Sequence, residues 1–307
     1  MKRIDIKVGF SCNNHCRFCA QGNKRDTHKD KSDIEVKKIL EKFKKTCEGV
    51  VFTGGEPTIR KELFGWVKYA RDLGYQNIQI QTNGRMFSSI TYCKKIIKEG
   101  ANEFAPALHG SRPKIHDYLT RAPGSWYQTV QGIKNLKLLD QHILLNSVVN
   151  KKNYKDLPNL ATLLVKLKVD QFQFAFIHIN QIISSDPKLI GEIVPKHSEV
   201  EPYIKKGLQI GINAGLEVMA EAVPFCLMKG YENYIAESWI PESAVVDADL
   251  VMEDYSYYRK NYGKAKGPDC KSCKYYKICE GPWKEYPQIF GWSEFKPIME
   301  KHGKKRG

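Results

Sequence analysis

Short apolar runs alternate with amphipathic stretches along the first 224 residues. The runs are rich in β-branched and aromatic residues and are typical of buried strands. They predict seven strands, at residues 3–8, 49–53, 77–81, 102–108, 142–149, 171–179 and 217–224. Apolar residues at helical spacing predict helices between these strands. The first long helix opens with a capping-box pattern at Ser32 and Glu35.

Strands that alternate with helices predict a parallel sheet with the helices packed outside it. Right-handed crossovers then give either a doubly wound sheet or a β/α barrel. In both folds, ligands bind where the strands end at their carboxyl side. The segments with the most distinctive chemistry follow the first four predicted strands, so we expect them to meet at one edge of the sheet.

The composition is that of a globular protein. The chain has 307 residues, of which 42% are hydrophobic and 27% charged, which excludes a disordered, collagen-like or membrane-embedded chain. No apolar run approaches the roughly 18 residues that span a bilayer. The amino terminus leads directly into a strand pattern without a signal-peptide core. We therefore expect a cytoplasmic protein with no membrane partner.

Basic residues are in excess. Lys and Arg number 49 against 34 Asp and Glu, for a formal net charge of +15. Such a charge raises the expectation of a polyanionic partner such as RNA. The lysines are scattered over most predicted helices, however, as on solvated faces. Nucleic-acid binding therefore rests on charge alone.

The strand and helix alternation stops after residue 224. Residues 225–307 are rich in Tyr, Trp, Pro, Gly and Cys and show no long periodic helix. A segment of this size and composition has little material for a core of its own. We expect it to form a second, small domain that a metal centre stabilises.

Three cysteines lie close together after the first strand. Cys12, Cys16 and Cys19 have the spacing C-x3-C-x2-C, and three thiolates on one short loop suit an iron–sulfur cluster. A four-iron cluster with three protein ligands keeps one iron open for another ligand. The alternative is a zinc site completed by His15. Because a reducing compartment disfavours disulfides, these thiols are expected to bind metal.

A second set of cysteines lies near the carboxyl end. Cys270, Cys273 and Cys279 have the spacing C-x2-C-x5-C, and Cys226 is a candidate fourth ligand. Four thiolates fill every position of a four-iron cluster, although four cysteines are also a zinc pattern. The isolated Cys47 and Cys93 are expected to be buried, inert thiols.

The first cysteine motif, with the aromatic Phe18 before Cys19, resembles that of the radical S-adenosylmethionine (radical SAM) superfamily. The resemblance continues in order along the chain and covers roughly residues 4–225. The residues of the further matching motifs follow the second, third and fifth predicted strands or lie on them: Gly54, Gly55, Glu56 and Pro57; Thr82 and Asn83; Ser147 and Val149.

The resemblance implies a partial (β/α)6 TIM-type barrel that carries a [4Fe–4S] cluster on Cys12, Cys16 and Cys19. It implies that SAM binds the open iron and contacts the eight residues just named, together with Phe18. The reduced cluster would cleave SAM to a 5′-deoxyadenosyl radical, with ferredoxin or flavodoxin as reducing partner. From the residues themselves, we expect the two glycines to let a ligand approach the backbone. Glu56 is expected to accept hydrogen bonds from an ammonium group.

The carboxyl-terminal segment resembles the SPASM and twitch extensions of radical SAM enzymes, which implies a second, auxiliary [4Fe–4S] cluster. Trp283 stands where the full SPASM pattern has a further cysteine, so one auxiliary cluster is expected. The domains are then a radical SAM core over residues 1–224 and an auxiliary-cluster domain over residues 225–307.

These expectations lead to one main function and two alternatives. The main hypothesis is a radical SAM enzyme that abstracts hydrogen from a peptide side chain or a small metabolite. The alternatives are a radical SAM enzyme that modifies RNA, and a non-catalytic iron–sulfur or zinc protein that binds RNA. No residue is predicted as the catalytic partner of the substrate. His109, after the fourth strand, is a candidate contact of SAM or substrate, or else it stabilises a turn with His116 or Asp117.

Overall fold

The computed structural model describes residues 2–179, 183 and 185–300. Nine strands of this part of the chain form one sheet in the order β7-β6-β5-β4-β3-β2-β1-β8-β9. The first eight are parallel, and β9 runs antiparallel to β8. Their bounds are β1 Arg3–Lys7, β2 Gly49–Thr53, β3 Asn77–Thr82, β4 Glu103–Pro106, β5 His142–Val149, β6 Gln171–Phe176, β7 Glu217–Glu221, β8 Ser243–Val246 and β9 Val251–Met252.

Helices connect the strands. Those of the described residues are α1 Lys24–Thr27, α2 Asp33–Lys44, α3 Leu63–Asp72, α4 Ile90–Glu99, α5 Pro113–Thr120, α6 Ser125–Leu138, α7 Leu157–Lys166, α8 Pro187–Ile193, α9 His197–Asn213, α10 Tyr255–Tyr258 and α11 Tyr286–Phe290. Over residues 2–179, 183 and 185–300, none of them combines the length and the apolar character that a membrane span needs. The predicted capping box at the start of α2 is confirmed, because Ser32 and Glu35 each accept the other's backbone N–H.

The predicted α/β fold, a partial barrel with a parallel sheet, is confirmed. All seven predicted strands form, with ends that differ by a few residues. The expectation that the strand pattern ends at residue 224 is wrong, because β8 pairs in parallel with β1 and β9 follows it. Segment 225–307 therefore extends the main sheet, and a domain boundary at residue 224 stays a prediction.

The outer face of the sheet is an apolar core against the helices. Phe52 on β2 stacks on Trp66 of α3 at 6.4 Å between ring centroids. On β6, Phe172 and Phe174 lie against glycines of α9; a Cβ added at Gly211 would come within 2.6 Å of the Phe172 ring. The glycine thus allows the helix to approach the sheet closely.

The inner face of the sheet is polar, which is unusual for parallel strands with both faces covered. Lys7 lies beside Thr53 in the register of β1 and β2. Gln173 on β6 donates to Asn146 on β5 and to Glu221 on β7. Since successive residues of a strand point to opposite faces, these side chains line the interior of the partial barrel. We call this interior the lumen.

Residues 255–280 contribute buried charges to the lumen. Arg259 makes a two-pronged ion pair with Glu280, with 2% and 3% of the side chains exposed. Lys264 pairs with Glu237 at 3.2 Å and is fully enclosed. Burial first, and then the charge of Glu221, raises the pKa of Tyr255 to about 12. The carboxyl-terminal segment thus occupies part of the space inside the sheet.

Tyr286 joins this segment to the start of α9. Its ring is fully buried and lies 4.5 Å from the ring of His197. Its hydroxyl accepts the backbone N–H of His197 at 2.9 Å and donates to Glu294. One side chain therefore satisfies a buried amide and anchors the end of the chain.

We expect Tyr286→Phe to lower the free energy of unfolding by about 1–3 kcal/mol, because it leaves the His197 amide without a partner. Tyr127→Phe is the matched control, since the Tyr127 side chain is 65% exposed. Urea titration followed by tryptophan fluorescence measures both. Equal stabilities of the two variants would contradict this role of Tyr286.

Candidate active site

The first cysteine loop begins five residues after β1 and lies against the end of α5. The backbone N–H groups of His15 and Arg17 donate to the carbonyls of Thr120 and Leu119, each at 2.9 Å. The Arg17 guanidinium also covers the ring of Tyr118 at 4.2 Å. These contacts fix the middle of the loop, between Cys12 and Cys19, without using a thiol.

Three polar side chains hold the other side of this loop. Asn83 donates to Asn13 Oδ1 at 2.6 Å, and Arg85 donates to Asn14 Oδ1 at 2.9 Å. Arg25 donates to the Asn14 carbonyl at 2.6 Å. The predicted site residue Asn83 is therefore beside the cysteine loop. Sequence analysis missed Arg25 and Arg85, because single arginines after a turn or in a short helix carry no signal of their own.

The thiols of this loop lie within electrostatic reach of one another. Burial raises the pKa of Cys16, and the proximity of Cys19 and Cys12 raises it further. Burial likewise raises the pKa of Cys12, whose sulfur accepts the Asn14 N–H at 3.4 Å. Thiolates this close repel one another unless cations hold them. The donor set therefore fits an iron–sulfur cluster, whose irons supply that charge.

Gly54 and Gly55 follow β2 and pack against the chain that leads to Cys12. The Gly55 amide donates to the Gly9 carbonyl at 2.8 Å, and the Glu56 amide donates to the Ser11 carbonyl at 2.9 Å. A Cβ at Gly54 would lie 2.3 Å from the Gly9 oxygen, and one at Gly55 would lie 2.2 Å from the Ser11 oxygen. The protein's own backbone therefore already excludes a side chain at both positions. The expectation that these glycines let a ligand approach the backbone stays a prediction.

Glu56 is 2% exposed and lies between the ends of β2 and β3. Its Oε1 accepts from the amide and hydroxyl of Thr58 and from the Thr82 hydroxyl, the last at 2.7 Å. Its Oε2 accepts from the Asn83 amide at 2.6 Å. Burial raises the pKa of Glu56, and these donors oppose that shift. Pro57 begins the short turn of helix that contains Thr58.

Phe18 is buried and meets the ring of His109 edge-on at 4.7 Å. The His109 Nδ1 accepts the Val148 N–H at 3.2 Å, so the hydrogen of its neutral ring is on Nε2. Burial holds the pKa of His109 well below its ordinary value, and His116 lowers it further. The His109 amide donates to the His116 ring at 3.1 Å, and a contact of His109 with SAM or substrate stays a prediction.

Ser147 and Val149 on β5 are fully buried on the outer, apolar face of the strand. The Ser147 hydroxyl donates to the Leu108 carbonyl at 2.5 Å. Their side chains therefore do not face the lumen, and a contact with SAM at these positions is left to the backbone. Asn146 and Val148 alternate with them and face the lumen.

The second cysteine set surrounds a small cavity in the carboxyl-terminal segment. All four cysteines of the set line it: Cys226, Cys270, Cys273 and Cys279. The rest of the lining consists mainly of apolar, aromatic and lysine residues: Pro224, Phe225, Lys266, Tyr276, Pro282, Phe295 and Lys296. Burial first, and then Cys279, Cys270 and Cys273, raises the pKa of Cys226 to about 12. The Ile298 amide donates to the Cys273 sulfur at 3.4 Å. Four cysteines that are up to 53 residues apart in sequence thus line one cavity.

Neither set is gathered around a single point. In the described part of the chain, no three His, Cys, Asp or Glu side chains are placed so that they could hold one metal ion. In a four-iron cluster each cysteine binds a different iron, so the ligands need not converge. At the second set, an auxiliary cluster and zinc both stay predictions.

A parallel α/β partial barrel with a three-cysteine loop at the carboxyl ends of its strands defines a class of metal-dependent enzymes. The family model of the Radical SAM superfamily matches residues 6–164 of this chain. The chain therefore belongs to the radical SAM superfamily. Because the superfamily consists of enzymes that use a [4Fe–4S] cluster and SAM, the non-catalytic alternative is no longer supported.

Among curated proteins, the chain is similar to the probable GTP 3′,8-cyclase of Saccharolobus islandicus, with 28% identity over 216 residues. That match covers 67% of this chain and 65% of the cyclase, so the chain spans slightly less than two-thirds of that relative. The 7,8-dihydro-6-hydroxymethylpterin dimethyltransferase of Methanocaldococcus jannaschii is 35% identical over 100 residues, 31% of this chain and 20% of that enzyme.

Among solved structures, SuiB of Streptococcus suis bound to precursor peptide SuiA superposes with a TM-score of 0.67 at 15% identity. The match covers 92% of this chain and 72% of SuiB. The enzyme anSMEcpe with bound AdoMet gives a TM-score of 0.66 at 13% identity, over 93% of this chain and 90% of anSMEcpe. These similarities establish the fold.

We expect Gly55→Ala to displace the chain before Cys12, because its Cβ would overlap the Ser11 carbonyl. The loss in stability should be about 1–3 kcal/mol, with less iron retained after reconstitution. Gly65→Ala on α3 is the control, since nothing lies within 4 Å of its added Cβ. Iron analysis and urea titration measure both variants. Unchanged iron content in Gly55→Ala would contradict the packing role.

Proposed function

We propose that this chain binds a [4Fe–4S] cluster through Cys12, Cys16 and Cys19, and SAM beside it. Residues 1–224 form the SAM-binding core in this proposal. The support is the arrangement of three strand ends around the cysteine loop. Asn83 contacts the loop directly, and Glu56 holds Asn83. Held by these cysteines, the cluster together with SAM would supply the radical chemistry that removes a hydrogen atom from a C–H bond.

The protein's own contribution is to orient SAM and to exclude water. Glu56 Oε2 accepts the Asn83 amide and keeps a lone pair for an ammonium donor. Phe18 and His109 form a buried wall next to the cysteines. The Nε2–H of His109 is a neutral donor that burial protects from protonation. In this proposal, Glu56 binds the ammonium group of SAM, and Phe18 and His109 contact SAM as uncharged rings.

We further propose that residues 225–307 bind an auxiliary [4Fe–4S] cluster through Cys226, Cys270, Cys273 and Cys279. The support is the single cavity that all four thiols line. Four protein ligands leave no iron open, so this cluster would not bind SAM. A ferredoxin or flavodoxin is the proposed source of the electrons that radical SAM enzymes need.

A small molecule is the substrate class that the structure favours over a peptide. Tyr255, Arg259 and Lys264 occupy part of the lumen and narrow the space that is left for a substrate. A narrow space suits a small molecule better than a peptide. The names of the sequence relatives, which refer to GTP and a pterin, point the same way. The peptide bound to SuiB supports the second candidate, a peptide-modifying enzyme.

The substrate class is testable by 5′-deoxyadenosine formation. We expect a low-molecular-weight extract of the source cells to stimulate it, and a peptide fraction from the same cells to leave it unchanged. Stimulation by the peptide fraction alone would favour the second candidate. Stimulation by purified RNA alone would favour the RNA-modifying alternative.

Anaerobically reconstituted protein should contain about eight irons, as two four-iron clusters. The triple change of Cys12, Cys16 and Cys19 to Ala should leave about four, because only the second set remains. Changing Cys270 and Cys273 to Ala should also leave about four. Cys47→Ala is the control and should keep all eight, since Cys47 is a buried thiol outside both sets. Zinc in place of iron at the second set would contradict the auxiliary cluster.

Dithionite-reduced protein should cleave SAM slowly to 5′-deoxyadenosine without substrate. Glu56→Ala should weaken SAM binding about tenfold or more, through the loss of a buried carboxyl acceptor. It should retain both clusters, because the cysteine loop keeps its backbone hydrogen bonds to α5. Glu62→Ala is the control, because the Glu62 side chain is 42% exposed and pairs with Arg60. Chromatography detects the nucleoside. Its absence from well-loaded, reduced protein would contradict the proposed activity.

A further inference from the structure

Two lysine ammonium groups share one carboxylate oxygen at the mouth of the lumen. Lys7 Nζ lies 2.5 Å and Lys24 Nζ lies 2.6 Å from the same Oδ2 of Asp247. The two nitrogens are therefore no more than about 5 Å apart. Lys7 is the last residue of β1, Lys24 begins α1, and Asp247 follows β8. We call the two lysines the Lys7–Lys24 pair.

One carboxylate neutralises only one of these two charges. A third ammonium, that of Lys31, donates to the backbone carbonyls of Asp247 and Ala248 at 3.0 and 3.4 Å. The other oxygen of Asp247 accepts the Ala248 amide at 2.7 Å. The neighbouring Asp249 side chain is 87% exposed and pairs with His28. An excess of positive charge thus remains at this point of the lumen.

The two ammonium groups also have unused hydrogen-bonding capacity. Each carries three donors, and the contacts to Asp247 use one donor of each. The side chains are 19% and 29% exposed, so both are partly withdrawn from water. Burial first, and then the charge of Lys24, lowers the pKa of Lys7 against the opposite effect of Asp247. A bound anion would satisfy both the donors and the charge.

The pair lies next to the proposed SAM site. Lys7 is adjacent in register to Thr53, which directly precedes Gly54. Thr53 donates to Gln81 at 2.7 Å, and Gln81 directly precedes Thr82. An anion on Lys7 and Lys24 would therefore be close to the strand ends where the radical is generated.

His178 and Trp283 lie on the opposite side of the lumen. Burial first, and then Lys264, Lys7 and Lys284, lowers the pKa of His178 to about 4. His178 lies 4.3 Å from the ring of Trp283. The Trp283 side chain is 8% exposed, and its indole N–H finds no hydrogen-bond partner among the residues that the structure describes. A buried donor without a partner is costly, and a ligand in the lumen would supply one.

We infer that Lys7 and Lys24 bind an oxyanionic group of the substrate, a phosphate or a carboxylate, and so place its reacting carbon near SAM. Lysine ammonium groups bind phosphate as point charges. This inference rests on the proposed function, because it names the substrate class of that same site. The alternative is a purely structural tie of α1 to β8, in which Asp247 alone is the partner of both lysines.

Calorimetric titration distinguishes an anion site from a purely structural role of the two lysines. The reconstituted, SAM-bound protein is titrated with inorganic phosphate and, separately, with malonate. We expect wild type to bind at least one of them, and the tighter arm identifies phosphate or carboxylate as the group recognised. Lys24→Gln should weaken that binding about tenfold or more, and Lys7→Gln should do the same. Lys38→Gln is the control, because Lys38 is an exposed lysine of α2 and should bind like wild type.

The iron content of each variant shows whether it is folded. If Lys7→Gln does not fold, Lys24→Gln alone tests the inference, because Lys24 is on a short surface helix. Binding of neither anion by wild type would overturn the inference, as would equal binding by wild type and Lys24→Gln. Substrate-free 5′-deoxyadenosine formation is measured on the same preparation. Cleavage of SAM without anion binding removes the inference alone, whereas anion binding without cleavage removes the proposed function.

Discussion

The buried carboxylate of Glu56 is the contact on which the arrangement of the site depends. An ionised carboxylate inside a protein is costly unless hydrogen bonds replace the water that it loses. Here four donors from two loops converge on it, from Thr58, Thr82 and Asn83. Because Asn83 also donates to Asn13, the ends of β2 and β3 and the cysteine loop form one hydrogen-bonded unit. Movement of any of these loops would leave a buried charge unpaired.

The glycines next to Glu56 make this unit compact. Their amides and lack of side chains let residues 54–56 lie directly on residues 9–11, so the backbone of β2 positions the start of the cysteine loop. Iron ligands on a loop are normally mobile until metal binds. In this chain, backbone hydrogen bonds restrain the loop on one side, and the side chains of Asn83, Arg85 and Arg25 restrain it on the other. The fold itself therefore positions the backbone of this loop.

Sequence patterns predicted the parts of this protein whose signals are local. The cysteine spacings predicted the two candidate ligand sets, and helical periodicity located the helices and the capping box of α2. The strand β8 was missed because Ser243, Ala244, Val245 and Val246 form a run of only four residues, which pairing with β1 and β9 stabilises. The hydrogen bonds of Glu56 and Arg85 join residues 26 to 71 positions apart, and no spacing rule connects such pairs. Ser147 shows a related limit: a motif marks a position, whereas the strand register decides which face its side chain occupies.

The net charge of the sequence likewise does not predict where the charged side chains lie. The net charge of +15 by itself indicates solvated faces or an RNA partner. In the structure, Lys7, Lys264 and Arg259 are turned inward, where each meets a carboxylate. Inward charges of this kind cost desolvation that a surface lysine avoids, so their placement needs a compensating interaction. Glu237 and Glu280 provide it for Lys264 and Arg259. At Asp247 the cations outnumber the carboxylate, and the imbalance is located beside the loops that Glu56 holds together.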